Sequence, residues 1–357
     1  LKLGIVGLPG SGKSTVFRAL TGGLESGDGK GRQEPGLGVV MVEDERLDFL
    51  TEHYKPGKVT PVHVQYLDIA GLTGEGKPGR DIGERVIQHI RPLDALVHCV
   101  RFFDSPVLGP AQPLKEFAAV EEEMILSDLA IVERRIDRLK KDVKKGRKEL
   151  AEELRVLEEA EAVLGDGKPL RLLPSALESE ILRGFSFLSS KPQLVLVNTD
   201  DKSSAEEVRS MLEQVKAGME GQPHVAVDWL YADTEAEIAR LDPEDALEFL
   251  AELELEEGAK ERIVRTSFEL LRLIVFFTTS DQEVRAWPLS EGLTAANAAG
   301  TVHTDMERGF IRAEVTAFDD FKSLGSEKAA KEAGKLRLEG RDYKVKDADI
   351  ILFRFNV

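Results

Sequence analysis

Gly7-Leu-Pro-Gly-Ser-Gly-Lys-Ser-Thr15 holds the residue types and spacing best suited to chemistry in this 357-residue chain. Its glycines let backbone N–H groups converge on an anion with no side chain in the way. Lys13 is spaced to reach the β- and γ-phosphates of a nucleotide, and Ser14 offers a hydroxyl to Mg²⁺. Gly10, Ser11, Gly12 and Thr15 complete the cradle, and a helix N-terminus there would add partial positive charge. The flanks supply the elements that must position these groups. Leu3 to Val6 is a short apolar run that reads as a strand, and Val16, Phe17 and Leu20 carry a helical pattern. Strand, glycine-rich loop and helix in that order predict a nucleoside-phosphate site with Mg²⁺ as its cofactor.

A second set of groups follows at the spacing such a site needs. Val62 to Leu67 alternates as a strand and ends in Asp68-Ile-Ala-Gly71. Asp68 would hold the Mg²⁺ shell, and the Gly71 N–H would contact the γ-phosphate. Lys13, Asp68 and Gly71 are therefore the catalytic candidates. Leu72 to Gly83 is rich in Gly and charge, as expected of a switch segment, although a plain surface loop has the same composition. Leu72 stands where many GTPases carry a water-orienting Gln, and a leucine cannot orient water. Any hydrolysis then needs another group or a bound partner. Ala95 to Phe102 and Gln193 to Val197 read as buried strands, the latter ending in Asn198-Thr-Asp-Asp201. Asn198 can bond a purine N7, and Asp201 can accept from the N1–H and 2-amino group of guanine. Thr199 replaces the lysine of an N-K-x-D base loop, so both ATP and GTP remain open. An Asn/Asp turn closing a strand would read the same way.

Composition narrows the class. A net charge of −17 argues against coating nucleic acid through bulk electrostatics, and no DNA partner is expected. No apolar run approaches the ~20 residues of a membrane span, and no leader-like segment precedes the first strand, so a cytoplasmic protein without a membrane partner is expected. Cys99 is the single cysteine, which excludes an internal disulfide, and the six His show no zinc spacing.

The charge is uneven. Arg134 to Lys148 holds nine Lys/Arg against two Asp. This run lies within an apolar series at Ile125, Leu129, Val132, Ile136, Leu139 and Val143, the 4-3-4 spacing of a coiled-coil seam. Leu150, Leu154, Leu157 and Leu164 repeat the series, with Glu161 as the exception. The pair reads as a helical hairpin turning at Lys145-Gly-Arg147. Its basic end is either a solvated surface or a tip for docking on RNA. Since the Gln193 strand comes later, the hairpin interrupts the nucleotide domain. Beyond a helix at Glu261 to Leu273, short strands are expected at Glu283 to Leu289, Gly309 to Val315, Lys335 to Leu338, Tyr343 to Val345 and Ile350 to Phe355. Helices are expected at Thr294 to Ala299 and Ser326 to Ala333, and Glu339-Gly340 reads as a tight turn.

With these residues in view, the chain resembles the YchF/Ola1 family of Obg-related P-loop NTPases over nearly its whole length. The stretches that carry the resemblance are GIVGLPGSGKSTVFRALTG, EPGLGVVMVEDERLD, DIAGL, HIRPLDALVHCVRFFD, LSDLAIVERRIDRL, EVRAW, VHTDMERGFIRAEV and KEAGKLRLEGRDYKVKDADIILFRFNV. The resemblance implies an α/β fold: a Ras-like P-loop domain at 1–117 and 191–273, an inserted helical coiled-coil domain at 118–190, and a C-terminal TGS domain of ubiquitin-like β-grasp form at 274–357. It also implies nucleotide hydrolysis, often with ATP preferred, and association with ribosomes. Leu72 fits the family's hydrophobic substitution of the catalytic Gln.

Several positions depart from the family pattern. Gly10-Ser11 stands where the family usually has Asn-Val, an Asn that helps hold potassium in related GTPases. Arg32 replaces the switch Thr two residues before Glu34-Pro35. Asp201 replaces the family's common Glu, and no His occurs between Phe103 and Lys115, the loop where the family often has one. His98 lies on a predicted strand and reads as structural. The expected function is a Mg²⁺-dependent purine-nucleotide hydrolase, acting as a switch on the ribosome or structured RNA through the TGS sheet and the Arg134–Lys148 tip. The alternative is a nucleotide-gated binding protein that scarcely hydrolyses. A small-molecule kinase shares the glycine-rich loop, but the Asp68–Gly71 motif and the Asn198 loop speak against it.

Overall fold

The computed structural model describes residues 1–23, 35–69, 84–174, 179–252, 255 and 257–356. The chain divides into two compact units, Leu1–Val40 with Gln65–Leu270, and Met41–Val64 with Leu271–Val357.

The first unit is built on β1 (Lys2–Val6), β2 (Gly36–Met41), β4 (His63–Asp68), β5 (Ala95–Phe102), β6 (Gln193–Thr199) and β7 (Val225–Tyr231), in the sheet order β2-β4-β1-β5-β6-β7. β1, β5 and β6 are near-continuous apolar runs because both faces of a central parallel strand are covered. The β1–β4, β1–β5, β5–β6 and β6–β7 pairings are all parallel. Register sets Ile5 opposite Asp68, Val6 opposite His98, Arg101 opposite Asn198 and Thr199 opposite Tyr231. The carboxyl ends of these five parallel strands therefore lie along one edge of the sheet, where open α/β sheets bind their ligands. Helix α1 (Lys13–Thr21) leaves that edge directly after β1, and helix α3 (Glu84–Ile90) leads into β5.

The insertion is a helical pair. Helix α4 (Pro113–Lys144) runs 32 residues and packs on α5 (Ala151–Gly165), joined through a turn at Gly146, where φ is +98°. Ile125, Val132, Ile136 and Leu139 face Val156, Leu157, Ala160 and Leu164 in one buried core. Glu161 stays out of it because Ala160 takes the seam position. At the root of the pair lies a buried polar cluster. Arg171 is ion-paired with Glu121 and donates to Gln222 at 3.0 Å, and Gln193 donates to Glu121 at 2.6 Å. Asp128 accepts from the N–H groups of Leu188 and Ser189 and from the Ser189 hydroxyl, at 2.7–3.0 Å, and so fixes the return toward β6.

The second unit holds a mixed sheet of order β11-β10-β12-β8-β9-β3: β3 (Lys58–Thr60), β8 (Leu273–Thr279), β9 (Glu283–Ser290), β10 (Phe310–Ala317), β11 (Arg337–Glu339) and β12 (Asp349–Phe355). Phe276, Leu289, Ala313, Val315, Ile351 and Phe353 form its core with Ala295, Ala298 and Ala299 of the helix Ala295–Val302. The sequence predicts β9, β10, β11 and β12 but not β8. The helix that it carries to Leu273 ends at Leu270, and Leu273 instead opens a strand that buries Phe276 and Phe277. Tyr343 to Val345 forms no strand. Lys344 makes a single bridge to Thr294, and the Val345 N–H bonds the Leu293 carbonyl. Residues 41–64, which the sequence assigns with the nucleotide domain, pack in this unit. Helix α2 (Glu45–Tyr54) sets Phe49 edge-on to Phe318 and stacks Tyr54 on Phe321, while β3 pairs in parallel with β9.

Candidate functional site

The turn after β1 folds as its glycines require. Gly10 and Gly12 adopt φ of +80° and +89°, and Gly12 caps α1 with no side-chain acceptor on the first-turn N–H groups. No acidic side chain lies in that first turn either. The Thr15 N–H bonds the Gly12 carbonyl at 2.9 Å, so among the described residues the Lys13 and Ser14 N–H groups are the first-turn donors left for an anion. A Cβ on Gly12 would fall 2.1 Å from Asn198 Nδ2, so glycine is also required by close approach.

The loop is clamped from the strand ends. Asn198 is buried at the end of β6. Its Nδ2 donates to the Ser11 carbonyl at 3.0 Å, and its Oδ1 accepts from the Ala232 N–H at 3.3 Å. The Cys99 thiol donates to the same Ser11 carbonyl at 3.1 Å, and burial pushes its pKa up to about 12, so it stays a neutral donor. The sequence marks Cys99 only as the single cysteine; its strand position beside β1 is the signal for this contact.

Lys13 is buried and donates to the Leu8 carbonyl at 2.8 Å. Burial holds its pKa below the usual lysine range, against the opposing pull of Cys99 and Asp68. Asp68 ends β4 opposite Ile5 of β1, the strand that leads into this loop. Asp68 Oδ1 is buried without a hydrogen-bond partner among the described residues. A carboxylate oxygen left open there, together with the exposed Ser14 hydroxyl beside Lys13 at the start of α1, fits a hard divalent cation such as Mg²⁺. Among the described residues no cluster of three His, Cys, Asp or Glu is placed to hold a metal, so most ligands of such an ion would be phosphate and water. The Ser11 hydroxyl is buried and has no hydrogen-bond partner among the described residues either. Thr15 Oγ1 accepts from Arg18 at 3.2 Å.

Asp201 is exposed in the turn after β6. Tyr231, at the end of β7, lies opposite Thr199 of β6, and its pKa is raised by burial and then by the charges of Asp201 and Asp200. Asp200 is engaged with the Ser203 hydroxyl at 3.1 Å. His98 is buried on β5, bonded through Nδ1 to Gln193 Oε1 at 3.1 Å and stacked on Phe117, and burial lowers its pKa to about 4. It is a neutral core side chain. Gly71, Leu72, Arg32 and Glu34 lie outside the described residues.

A glycine-rich loop between β1 and α1, an aspartate ending the neighbouring strand and an asparagine clamp from β6 define a P-loop NTPase of the GTPase type. A model described as a 50S ribosome-binding GTPase matches residues 2–134, and the YchF-GTPase_C model, described as a protein of unknown function (DUF933), matches residues 273–356. The chain belongs to the YchF/Ola1 family of Obg-related P-loop NTPases. It is 42% identical to the Ribosome-binding ATPase YchF of Haemophilus influenzae over 100% of this chain and 99% of that protein. It is 36% identical to the Obg-like ATPase 1 of Oryza sativa subsp. indica, over 100% of this chain and 92% of that one. Among solved structures, the Schizosaccharomyces pombe YchF GTPase superposes with a TM-score of 0.83 at 30% identity, covering 99% of this chain and 97% of that one.

Proposed function

We propose that this NTPase hydrolyses a purine nucleoside triphosphate with Mg²⁺ and acts as a cytoplasmic switch on the ribosome. One observation carries the reading: the buried Lys13, in the turn after β1, and the open Asp68 oxygen, at the end of the adjacent β4, both lie at the carboxyl edge of the sheet. The names of the relatives, ribosome-binding ATPases, support the ribosome and favour ATP.

In this reading the N–H groups of Gly10, Gly12 and the first turn of α1 bind the phosphates, and Lys13 exchanges the Leu8 carbonyl for phosphate oxygen. Ser14 and Asp68 hold Mg²⁺, which when bound neutralises charge developing on the transferred phosphoryl. The Gly71 N–H would assist at the γ-phosphate. Asn198 keeps Ser11 in register for the phosphates, and Asp201 reads the base edge beside Tyr231. With Leu72 after the Asp68–Gly71 motif, the chain offers no Gln to orient water there, so another group or a bound partner completes the step. That same residue favours the second reading, a nucleotide-gated binder with negligible hydrolysis.

The helical pair at 118–190 is assigned as a coiled-coil domain. The mixed sheet and its packed helix are assigned as a TGS domain of β-grasp form, with this sheet and the basic Arg134–Lys148 end facing structured RNA. No helix among the described residues is long and apolar enough to cross a membrane. Calorimetry with Mg²⁺ tests the site: Lys13→Ala should abolish ATP and GTP binding, and unchanged affinity would sink the assignment. Single-turnover phosphate release with and without ribosomes separates the two functional readings. Acceleration by ribosomes supports the hydrolase, and negligible release under both conditions supports the binder.

A further inference from the structure

The connection from β5 to α4, residues 103–112, is held by one buried cation instead of a core of its own. The Arg101 guanidinium donates to the carbonyls of Phe103 (2.8 Å), Gly109 (2.7 Å) and Pro110 (3.2 Å), and to Glu116 Oε1 at 3.0 and 3.2 Å. Glu116 Oε2 in turn accepts from the Arg101 N–H at 3.2 Å. Both ends of the loop are thus tied to a charge that is costly to desolvate unless its donors are used. Between those ties Ser105 and Gly109 exchange backbone bonds at 3.2 and 2.7 Å. The Ser105 hydroxyl accepts from the N–H groups of Val107 (3.3 Å) and Leu108 (3.2 Å).

This scaffolding sets Leu108 against the phosphate loop. A Cβ on Gly10 would lie 2.5 Å from Leu108 Cδ1, so the two residues are in van der Waals contact. Val107, next to it, is 90% exposed, whereas Leu108 is 48% exposed. We infer that Leu108 is a positioning residue for the bound nucleotide, an apolar cheek that keeps water from Gly10 and slows nucleotide departure. The inference rests on the nucleotide reading of the loop. Backbone N–H bonds to phosphate are stronger where water cannot compete for them. A leucine excludes water there without adding a charge that would repel or trap the phosphates.

The test is stopped-flow release of methylanthraniloyl-ADP and -ATP from the full chain with Mg²⁺, using wild type, Leu108→Ala, Leu108→Asn, Val107→Ala and Lys13→Ala. Both Leu108 variants should release nucleotide roughly 3- to 10-fold faster, since contacts of this kind act chiefly on dissociation. Their thermal midpoints should match wild type, and Val107→Ala should release at the wild-type rate. Wild-type release from both Leu108 variants would overturn the inference, as would equal acceleration by Val107→Ala, which would mean general loosening of the loop. Binding by wild type and none by Lys13→Ala keeps the nucleotide reading whichever way Leu108 falls. Absence of binding by wild type, or binding undiminished in Lys13→Ala, overturns that reading and the inference with it.

Discussion

Asn198 and Ser11, 187 positions apart in sequence, are joined by a 3.0 Å bond from the Asn198 amide to the Ser11 carbonyl. The same amide nitrogen occupies the space where any side chain on Gly12 would begin. One side chain from β6 thereby sets the shape of the phosphate loop. Asn198→Ala should lower nucleotide affinity by about tenfold or more and destabilise the fold by about 1–3 kcal/mol, because the buried Ser11 carbonyl and Ala232 N–H each lose a partner. Asn198→Asp should be worse, since it turns a carboxylate toward the Ser11 carbonyl. Calorimetry and urea unfolding check both, and wild-type affinity in either variant would show the clamp to be idle.

The Arg171–Glu121 pair ties the helical insertion to the sheet through Gln193. Removing one partner from a buried pair leaves an uncompensated charge, a cost of about 3–5 kcal/mol. Arg171→Met should therefore destabilise far more than the double variant with Glu121→Leu. A urea-unfolding cycle over the four proteins would show this, and additive effects would contradict it.

Asp128 gives the stability a pH dependence of known sign. Burial raises its pKa to about 6, outweighing the bonds from Ser189 and Leu188 that lower it. Between the unfolded value near 4 and the folded value near 6, the native state binds more protons than the unfolded chain. This residue's contribution is therefore fully present below about pH 4 and is lost as pH rises toward 6. Asp128→Asn should flatten that fall when unfolding free energies are compared at pH 4 and 6.5. An unchanged slope would assign the dependence to other groups.

At the far end of the insertion Lys140 pairs with Glu158 at 3.2 Å, while Lys141, Lys144 and Lys145 are exposed without an ion pair among the described residues. Reversing all four charges should weaken co-sedimentation with ribosomes and flatten its salt dependence. Retained co-sedimentation would place the contact on another surface.

What the sequence showed plainly was local. The glycine, lysine and hydroxyl pattern of the phosphate loop, the Asp68 strand end and the seam of the helical pair each announce themselves within a few residues. Long-range pairing was not legible. Nothing near Asn198 signals that its amide is committed to Ser11 and Ala232, and nothing near Arg101 signals the loop carbonyls it gathers. β8 was hidden because the apolar run at Leu270-Leu-Arg-Leu273 continues a helical period into a strand. β3 has three residues, and only its pairing with β9 makes it a strand.

That last pairing bears on how the chain is made. β3 and α2 emerge early in synthesis, yet Lys58 and Thr60 must wait for Glu283 and Arg285, and Phe49 for Phe318. For roughly two hundred residues of elongation an aromatic helix face and an unpaired strand have no native partner, a state prone to wrong association. Neither unit can mature in order of synthesis, and a fragment cut near residue 273 would strand half of that contact on each piece. Only once β8 through β12 have all been made can the second sheet be completed around β3.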